Sequence, residues 1–243
     1  MPSTSDFDPP PSLASTSQLV DGLNDSYRNT LACLQGFIDN PPPYLPIINP
    51  PLWEAGHVAW FLEHWCLRRP AGNGAPSMVP CADQLYDSSR VAHSARWFLK
   101  LPTPPQPLDY LRQVTEAVLE RVEASELPPQ EKYYVELALY HQDMHNEAFA
   151  YTRQTLGHVA APPLHTALAA APVTVAGDAK IPEGMVVLGA QPATGFVFDN
   201  EKWAHEDRVA AFDISRRLVT NGDFLAFVAD GGYTRRKLWC ESG

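Results

Sequence analysis

The sequence predicts a mainly α protein: a four-helix bundle followed by a smaller region of short β-like runs and one helix. Three observations predict it. Apolar residues recur at steps of three and four along four long segments. Clusters of proline bracket those segments and punctuate the helices without interrupting them. Past about residue 175 the pattern changes to short runs of β-formers. With 243 residues, 45% of them hydrophobic, the chain can bury the core of one large domain or two smaller ones.

The first helix is read from Val20, Leu23, Tyr27, Leu31, Leu34 and Ile38, with Ser15–Ser17 as N-cap candidates. The second starts after Pro50 and Pro51 and runs from about Leu52 to Arg68. Arg68 and Arg69 before Pro70 give it a basic C-terminus. The third carries Leu108, Leu111, Thr115, Val118 and Val122. The fourth opens at Pro128 and Pro129 and continues to Leu156, with Gly157 as its stop. Four such helices suggest an up-and-down bundle. The long connection Pro70–Pro107, which holds Asp87, Arg90, His93 and Arg96, is expected to fold over one end of it. The predicted division is a bundle over 12–160, a linker over 161–180 and a second domain over 181–243. In the last, Met185–Leu188, Phe196–Phe198 and Ala210–Ile214 read as β-runs and Asn221–Ala229 as a helix.

Charge and composition exclude several functions. A formal net charge of −10 argues against a nucleic-acid binder. No run reaches the roughly 18 apolar residues of a membrane span, and the polar, Pro-rich N-terminus lacks the pattern of a secretion signal. The expectation is a soluble, cytoplasmic protein that does not bind membranes. Cys33, Cys66, Cys81 and Cys240 are scattered and read as isolated thiols.

The chemistry concentrates in the fourth helix, at Tyr140-His141-Gln142-Asp143-Met144-His145-Asn146-Glu147. Histidines at i and i+4 stand one above the other on one face, a ready pair of metal ligands. That face also carries Tyr134, Ala138 and Ala148, so the imidazoles point inward, where they need partners. On the second helix His57 and His64 share a face with Trp60 and Phe61 nearby, and either can supply a third nitrogen. Three neutral imidazoles on two helices leave open coordination positions, which suits catalytic zinc or non-haem ferrous iron. Asp143 and Glu147 lie about 200° round the helix from the adjacent ligands and read as supporting or surface groups.

Two segments carry a resemblance: Leu52-Trp53-Glu54-Ala55-Gly56-His57-Val58-Ala59-Trp60-Phe61-Leu62-Glu63 and His141-x3-His145-x-Glu147. Together they resemble the DinB-like bundle of the ergothioneine-type sulfoxide synthases, which are non-haem iron enzymes. The resemblance implies Fe(2+) bound by His57, His141 and His145, and demotes His64 to packing. Leu85-Tyr86-Asp87-Ser88-Ser89 resembles the family's loop before the third helix, downstream of which an arginine recognises the carboxylates of the thiol substrate. Arg96 is the ungapped match and Arg90 the alternative. The tail, with Phe198-Asp199-Asn200-Glu201-Lys202, His205-Glu206, Val219-Thr220-Asn221-Gly222-Asp223-Phe224 and Ala229-Asp230-Gly231-Gly232-Tyr233, resembles the opening of the family's sulfatase-modifying-factor (formylglycine-generating, C-type-lectin-like) domain.

The implied reaction joins a sulfur or selenium donor, a thiol or a selenosugar, to the imidazole C2 of hercynine with O2. The P-P-L-W-E-x-G-H and W-C-L-R text is similar to the selenoneine synthase branch as well. For the quaternary ammonium of hercynine, Trp53, Trp60, Trp65 and Trp97 are candidate box residues, against the simpler role of core packing. The resemblance places the active-site tyrosine in a part of the second domain beyond Gly243, so no catalytic residue is expected in this chain, and residues 181–243 should expose strand edges and apolar surface. The rival readings are a DinB-like zinc-dependent thiol S-transferase, a metal-holding half completed by another polypeptide, and a bundle with purely structural histidines.

Overall fold

The computed structural model describes residues 12–72, 74–102, 106–159, 175–192 and 195–241. It divides into two units, one of residues 1–167 with 190–203 and one of 168–189 with 204–243. Most of the segment read as a linker lies outside the described residues.

The first unit is a four-helix bundle. Helix α1 (Thr16–Leu34) starts with a capping box in which Ser15 and Gln18 satisfy each other's backbone N–H groups. It ends four residues before Ile38, because Gln35 turns to extended geometry and Gly36 takes φ +91°. Its buried face is also rotated from the expected stripe. Leu19, Leu23, Ser26, Thr30, Cys33 and Leu34 are inside, whereas Leu31 is exposed.

Helix α2 (Pro51–Glu63) continues through a π-helical turn (His64–Arg68) into the single turn α3 (Arg69–Ala71), closed by Gly72 at φ +107°. The helix therefore passes through Pro70, where the sequence suggested a stop. The Arg69 N–H reaches back five residues to the His64 carbonyl. This widened turn accommodates a proline whose ring would otherwise meet the carbonyl four residues before it.

The long connection holds a short helix, α4 (Ala82–Tyr86), and a 3₁₀ segment (His93–Phe98). Helix α4 packs on α2 itself. Helices α5 (Gln106–Ala124) and α6 (Pro129–Thr155) complete the bundle, with Pro129 at the first position of α6.

Adjacent helices in the bundle are α1–α5, α5–α2, α2–α6 and α6–α1. The α1 and α6 axes run parallel, since Ser12 meets Pro129, Thr30 meets Asn146 and Cys33 meets Arg153. Helix α5 runs against α1, because Thr16 bonds Glu126 at one end while Leu108 joins the cluster of Leu34 and Phe37 at the other. Helix α2 runs against α6 (Glu54 to His145, Cys66 to Tyr134). The order is thus up, down, down, up, not the alternating bundle suggested by the sequence. The residues between α3 and α5 return the chain to the end from which α2 began, so α5 runs parallel to α2.

The main core joins Leu19 and Leu23 of α1, Trp53, Val58 and Leu62 of α2, Leu111, Val114 and Val118 of α5 and Ala138 and Leu139 of α6. Between α1 and α6 the interior is polar. Asn146 donates through Nδ2 to the Ser26 carbonyl (3.2 Å) and lies 2.8 Å by Oδ1 from the Thr30 hydroxyl, which accepts from Gln142 Nε2 (2.8 Å). Residues 196–198, read as a β-run, form no strand and pack on α6. Phe196 stacks on Tyr133 with centroids 5.0 Å apart, and the Tyr133 hydroxyl donates to the Val197 carbonyl at 2.9 Å.

The second unit has two antiparallel pairs, β1 (Asp178–Ile181) with β4 (Phe212–Ser215) and β2 (Gly184–Leu188) with β3 (His205–Val209), then α7 (Asn221–Ala229). Strand β1 starts inside the stretch read as linker. Met185, Val187, Leu218, Val219 and Leu225 stand exposed, the apolar surface expected of this region.

Asn146→Ala removes the partner of the buried Ser26 hydroxyl and one partner each of the Ser26 carbonyl and the Thr30 hydroxyl, and is expected to lower stability by about 1–3 kcal/mol. Asp143→Ala, at an exposed position one turn away, is expected to leave it within about 0.5 kcal/mol. Urea unfolding of both variants checks the difference.

Candidate metal centre

The site forms where α2 crosses α6. His57 is buried in α2, and His141 and His145 stand one turn apart on α6. One ring nitrogen from each lies within 4.8 Å of the others. The His57 ring stands 5.0 Å from each partner, tilted by 72° and 74°, and the Nε2 atoms of His141 and His145 are 3.3 Å apart.

Hydrogen bonds to the far side of two rings set which nitrogen faces inward. His57 Nδ1 donates to the Tyr86 carbonyl at 2.7 Å. A carbonyl can only accept, so the proton sits on Nδ1 and Nε2 keeps its lone pair for the centre. His145 Nδ1 donates to Glu54 Oε1 at 2.6 Å, and that carboxylate is almost wholly buried. It is the carboxylate–histidine pairing that orients a metal-binding imidazole and strengthens it as a donor. Among the described residues His141 Nδ1 has no hydrogen-bond partner; Phe61 steers the ring, stacked on it at 3.8 Å and 11°.

Burial keeps the His57 and His141 rings neutral. Desolvation, helped by the neighbouring His145, pulls His57 down to about 3 and holds His141 well below the ordinary histidine range. Three imidazoles with converging ring nitrogens suit a divalent cation, so His57, His141 and His145 fit a bound metal ion.

The local sequence builds this site by a stripe on α2. Trp53, His57 and Trp60 lie at i, i+4 and i+7, and each donates an N–H to α4: Trp53 Nε1 to the Leu85 carbonyl (2.7 Å), His57 to the Tyr86 carbonyl, Trp60 Nε1 to Asp83 Oδ1 (2.7 Å). The two carbonyls are end-of-helix acceptors that lack an intrahelical partner, so the stripe caps α4 while α4 fixes the ligand. Arg68 adds a forked bond to Asp83 (2.7 and 3.0 Å), which keeps that carboxyl well below its usual range. Gly56 leaves the space that the Tyr86 ring fills; a Cβ there would stand 2.2 Å from it.

His64, the other candidate for third ligand, lies beyond Trp60, whose ring stacks between it and His57 (5.3 and 6.0 Å). Asp143 and Glu147 are exposed. Arg96 lies with its guanidinium 4.0 Å over the Trp53 ring, whose other neighbour is the His57 ring, stacked at 5.0 Å and 9°. Its N–H groups reach Asn49 Oδ1 (2.9 Å) and the Val91 carbonyl. Arg90 is exposed and pairs with Asp87 at 3.1 Å. The tryptophans read as box candidates do not gather into a cage: Trp53 and Trp60 are core residues, Trp65 stacks on Tyr134, and Trp97 bonds the Ile48 carbonyl. The sequence reading missed Glu54 as part of the site. Its signal was an acidic residue in an otherwise apolar helix, one turn before His57.

No protein-family model matches the chain. It is 32% identical over 234 residues to the hercynine oxygenase of Mycolicibacterium thermoresistibile, covering 93% of this chain and 50% of that protein. To the hercynine oxygenase of Mycobacterium tuberculosis it is 32% identical over 207 residues, and to that of Mycolicibacterium smegmatis 30% over 206, each match covering 82% of this chain and 47% of the relative. Over its matched length the chain is a homologue of these hercynine oxygenases. It spans about half the length of the curated relatives it matches. Among the described residues of this hercynine oxygenase homologue, no helix is long and apolar enough to cross a membrane.

Gly56→Ala in this homologue is expected to cost about 1–3 kcal/mol by displacing Tyr86, and to weaken metal binding because the acceptor for His57 moves with it. Urea unfolding and metal titration of the same preparation check both effects. The metal-free protein is expected to lose stability as pH falls from about 6.5 towards about 3. In that window the unfolded chain protonates His57 and the folded chain does not, so the unfolded state binds more protons. His57→Asn keeps a donor for Tyr86 without titrating; unfolding across that pH range is expected to show a shallower slope for the variant.

Proposed function

We propose that this chain supplies the ferrous-binding bundle of a non-haem iron, O2-dependent enzyme that joins a sulfur or selenium donor to C2 of the imidazole of hercynine. The observation that carries the reading is the convergence of His57, His141 and His145, with the outer nitrogen of His57 on a carbonyl and that of His145 on a carboxylate. Support for hercynine and oxygen comes from the relatives, which are hercynine oxygenases, and iron follows from an oxygenase reading of a site that by its donors alone suits zinc as well. Bound there, ferrous iron would supply open positions for O2 and the chalcogen donor.

The residues of this chain position and exclude. The Glu54 carboxylate holds His145 in the tautomer that presents Nε2, and the Tyr86 carbonyl does the same for His57. Phe61 covers one face of His141 and keeps water from it. Arg96, held by Asn49, Val91 and Trp53, has five N–H donors and uses three, which leaves two for a carboxylate of the donor substrate. Arg90, exposed beside Asp87, is the alternative. Residues 181–243 are assigned to the opening of a sulfatase-modifying-factor domain. A cytoplasmic setting accords with free thiols at Cys33, Cys66 and Cys81. Selenium as donor rests on the resemblance of the P-P-L-W-E-x-G-H and W-C-L-R text alone.

Anaerobic ferrous loading tests the site. About one iron per chain is expected by metal analysis, with at least a tenfold loss of affinity in His57→Ala and in His141→Ala and little change in His64→Ala. Iron that survives His57→Ala would overturn the ligand set. Oxygen uptake by the iron-loaded protein with hercynine and a thiol or selenosugar tests the reaction; zinc retention with thiol transfer and no oxygen uptake would favour the transferase.

A further inference from the structure

A second buried carboxylate lies on α6, away from the histidine face. Glu136 is 8% exposed, and among the described residues its Oε2 has no hydrogen-bond partner, while the other oxygen accepts from the Ser12 hydroxyl. The nearest ammonium, that of Lys132 one turn earlier, is committed to Glu126 and the Ala14 carbonyl. A carboxylate taken out of water with one oxygen unmatched is costly to keep unless something else meets it.

Glu136 lines a cavity of about 590 Å³ between the start of α1, the middle of α6 and residues 195–201, all within the first unit. That volume is in the range of small-molecule sites. The other walls have a definite character. Tyr140, Phe196 and Phe198 form a corner of three rings, with centroids 4.8 Å apart for Tyr140–Phe196, 4.8 Å for Phe196–Phe198 and 6.2 Å for Tyr140–Phe198. Glu201 adds a second carboxylate, and among the described residues no lysine or arginine lines the space. The aromatic wall is fixed in place, since Phe196 is stacked on Tyr133 and Tyr133 bonds the Val197 carbonyl.

Ring faces attract a cation and its N-alkyl groups, and carboxylates supply the opposite charge; together they select an alkylated ammonium over an anion or a neutral solute. We propose that this cavity binds a small organic ammonium ion, with its charge towards Glu136 and Glu201 and its alkyl groups against Tyr140, Phe196 and Phe198. The site is separate from the three histidines and does not depend on the reading of the metal centre.

Choline and its uncharged isostere 3,3-dimethylbutan-1-ol, titrated into the full chain by calorimetry and followed by ligand-observed NMR, test the proposal. Choline is expected to bind saturably and at least about tenfold more tightly than the alcohol. Glu136→Gln and Tyr140→Leu are each expected to weaken choline about tenfold without change in the unfolding midpoint, and His141→Ala to leave it unchanged. Absence of saturable binding, equal binding of the alcohol, or full binding by a folded Glu136→Gln would overturn it, as would loss of binding in His141→Ala. If Glu136→Gln does not fold, Glu201→Gln and Phe198→Leu carry the test, with the same expected loss.

Discussion

Three imidazoles and a carboxylate are drawn together where α2 crosses α6, and much of the bundle serves to hold them there and aim them. A buried polar ring is tolerated only if its N–H finds an acceptor. For His57 the acceptor is a backbone carbonyl of α4, and for His145 it is Glu54 on α2. The second pairing ties the two helices together directly. Glu54 and His145 lie 91 positions apart, and their 2.6 Å bond fixes the height at which the antiparallel helices meet.

The short helix α4 is part of the same device. It is too brief to be stable on its own, and three N–H groups from one stripe of α2 hold it. Glu63 secures the stretch that leads to it, accepting from Ser77, the Met78 N–H and Tyr110 at 2.5–2.6 Å. The long connection is thus fastened to α2 along its length, and its fastening orients a metal ligand. Arg96 extends the stack outward over Trp53, so a change at the end of the connection reaches His57 through two ring contacts.

Helix α6 presents two polar pairs side by side. His141 and His145 turn to α2, while Gln142 and Asn146, one residue further round, turn to α1 and bond Thr30 and Ser26. The parallel run of α1 beside α6 makes that second pairing possible, and it accounts for the rotation of α1 away from its most hydrophobic stripe. Apolar periodicity favours one face of α1, and the need to satisfy buried amides on α6 selects another.

Much of the bundle was legible in the sequence: four periodic segments between proline clusters, the His141/His145 pair at one turn, and the Trp-x3-His-x2-Trp stripe, because these depend on the helical period and on where proline can stand. The sequence also carried the resemblance that singled out His57. It did not carry the direction in which the helices run, the rotation of α1, the passage of α2 through Pro70, or the part of Glu54. Each of those depends on what faces a residue from another helix. A one-dimensional pattern says which residues share a face; only the packed bundle decides which faces meet, because the partners that satisfy buried polar groups lie tens of residues away in the chain.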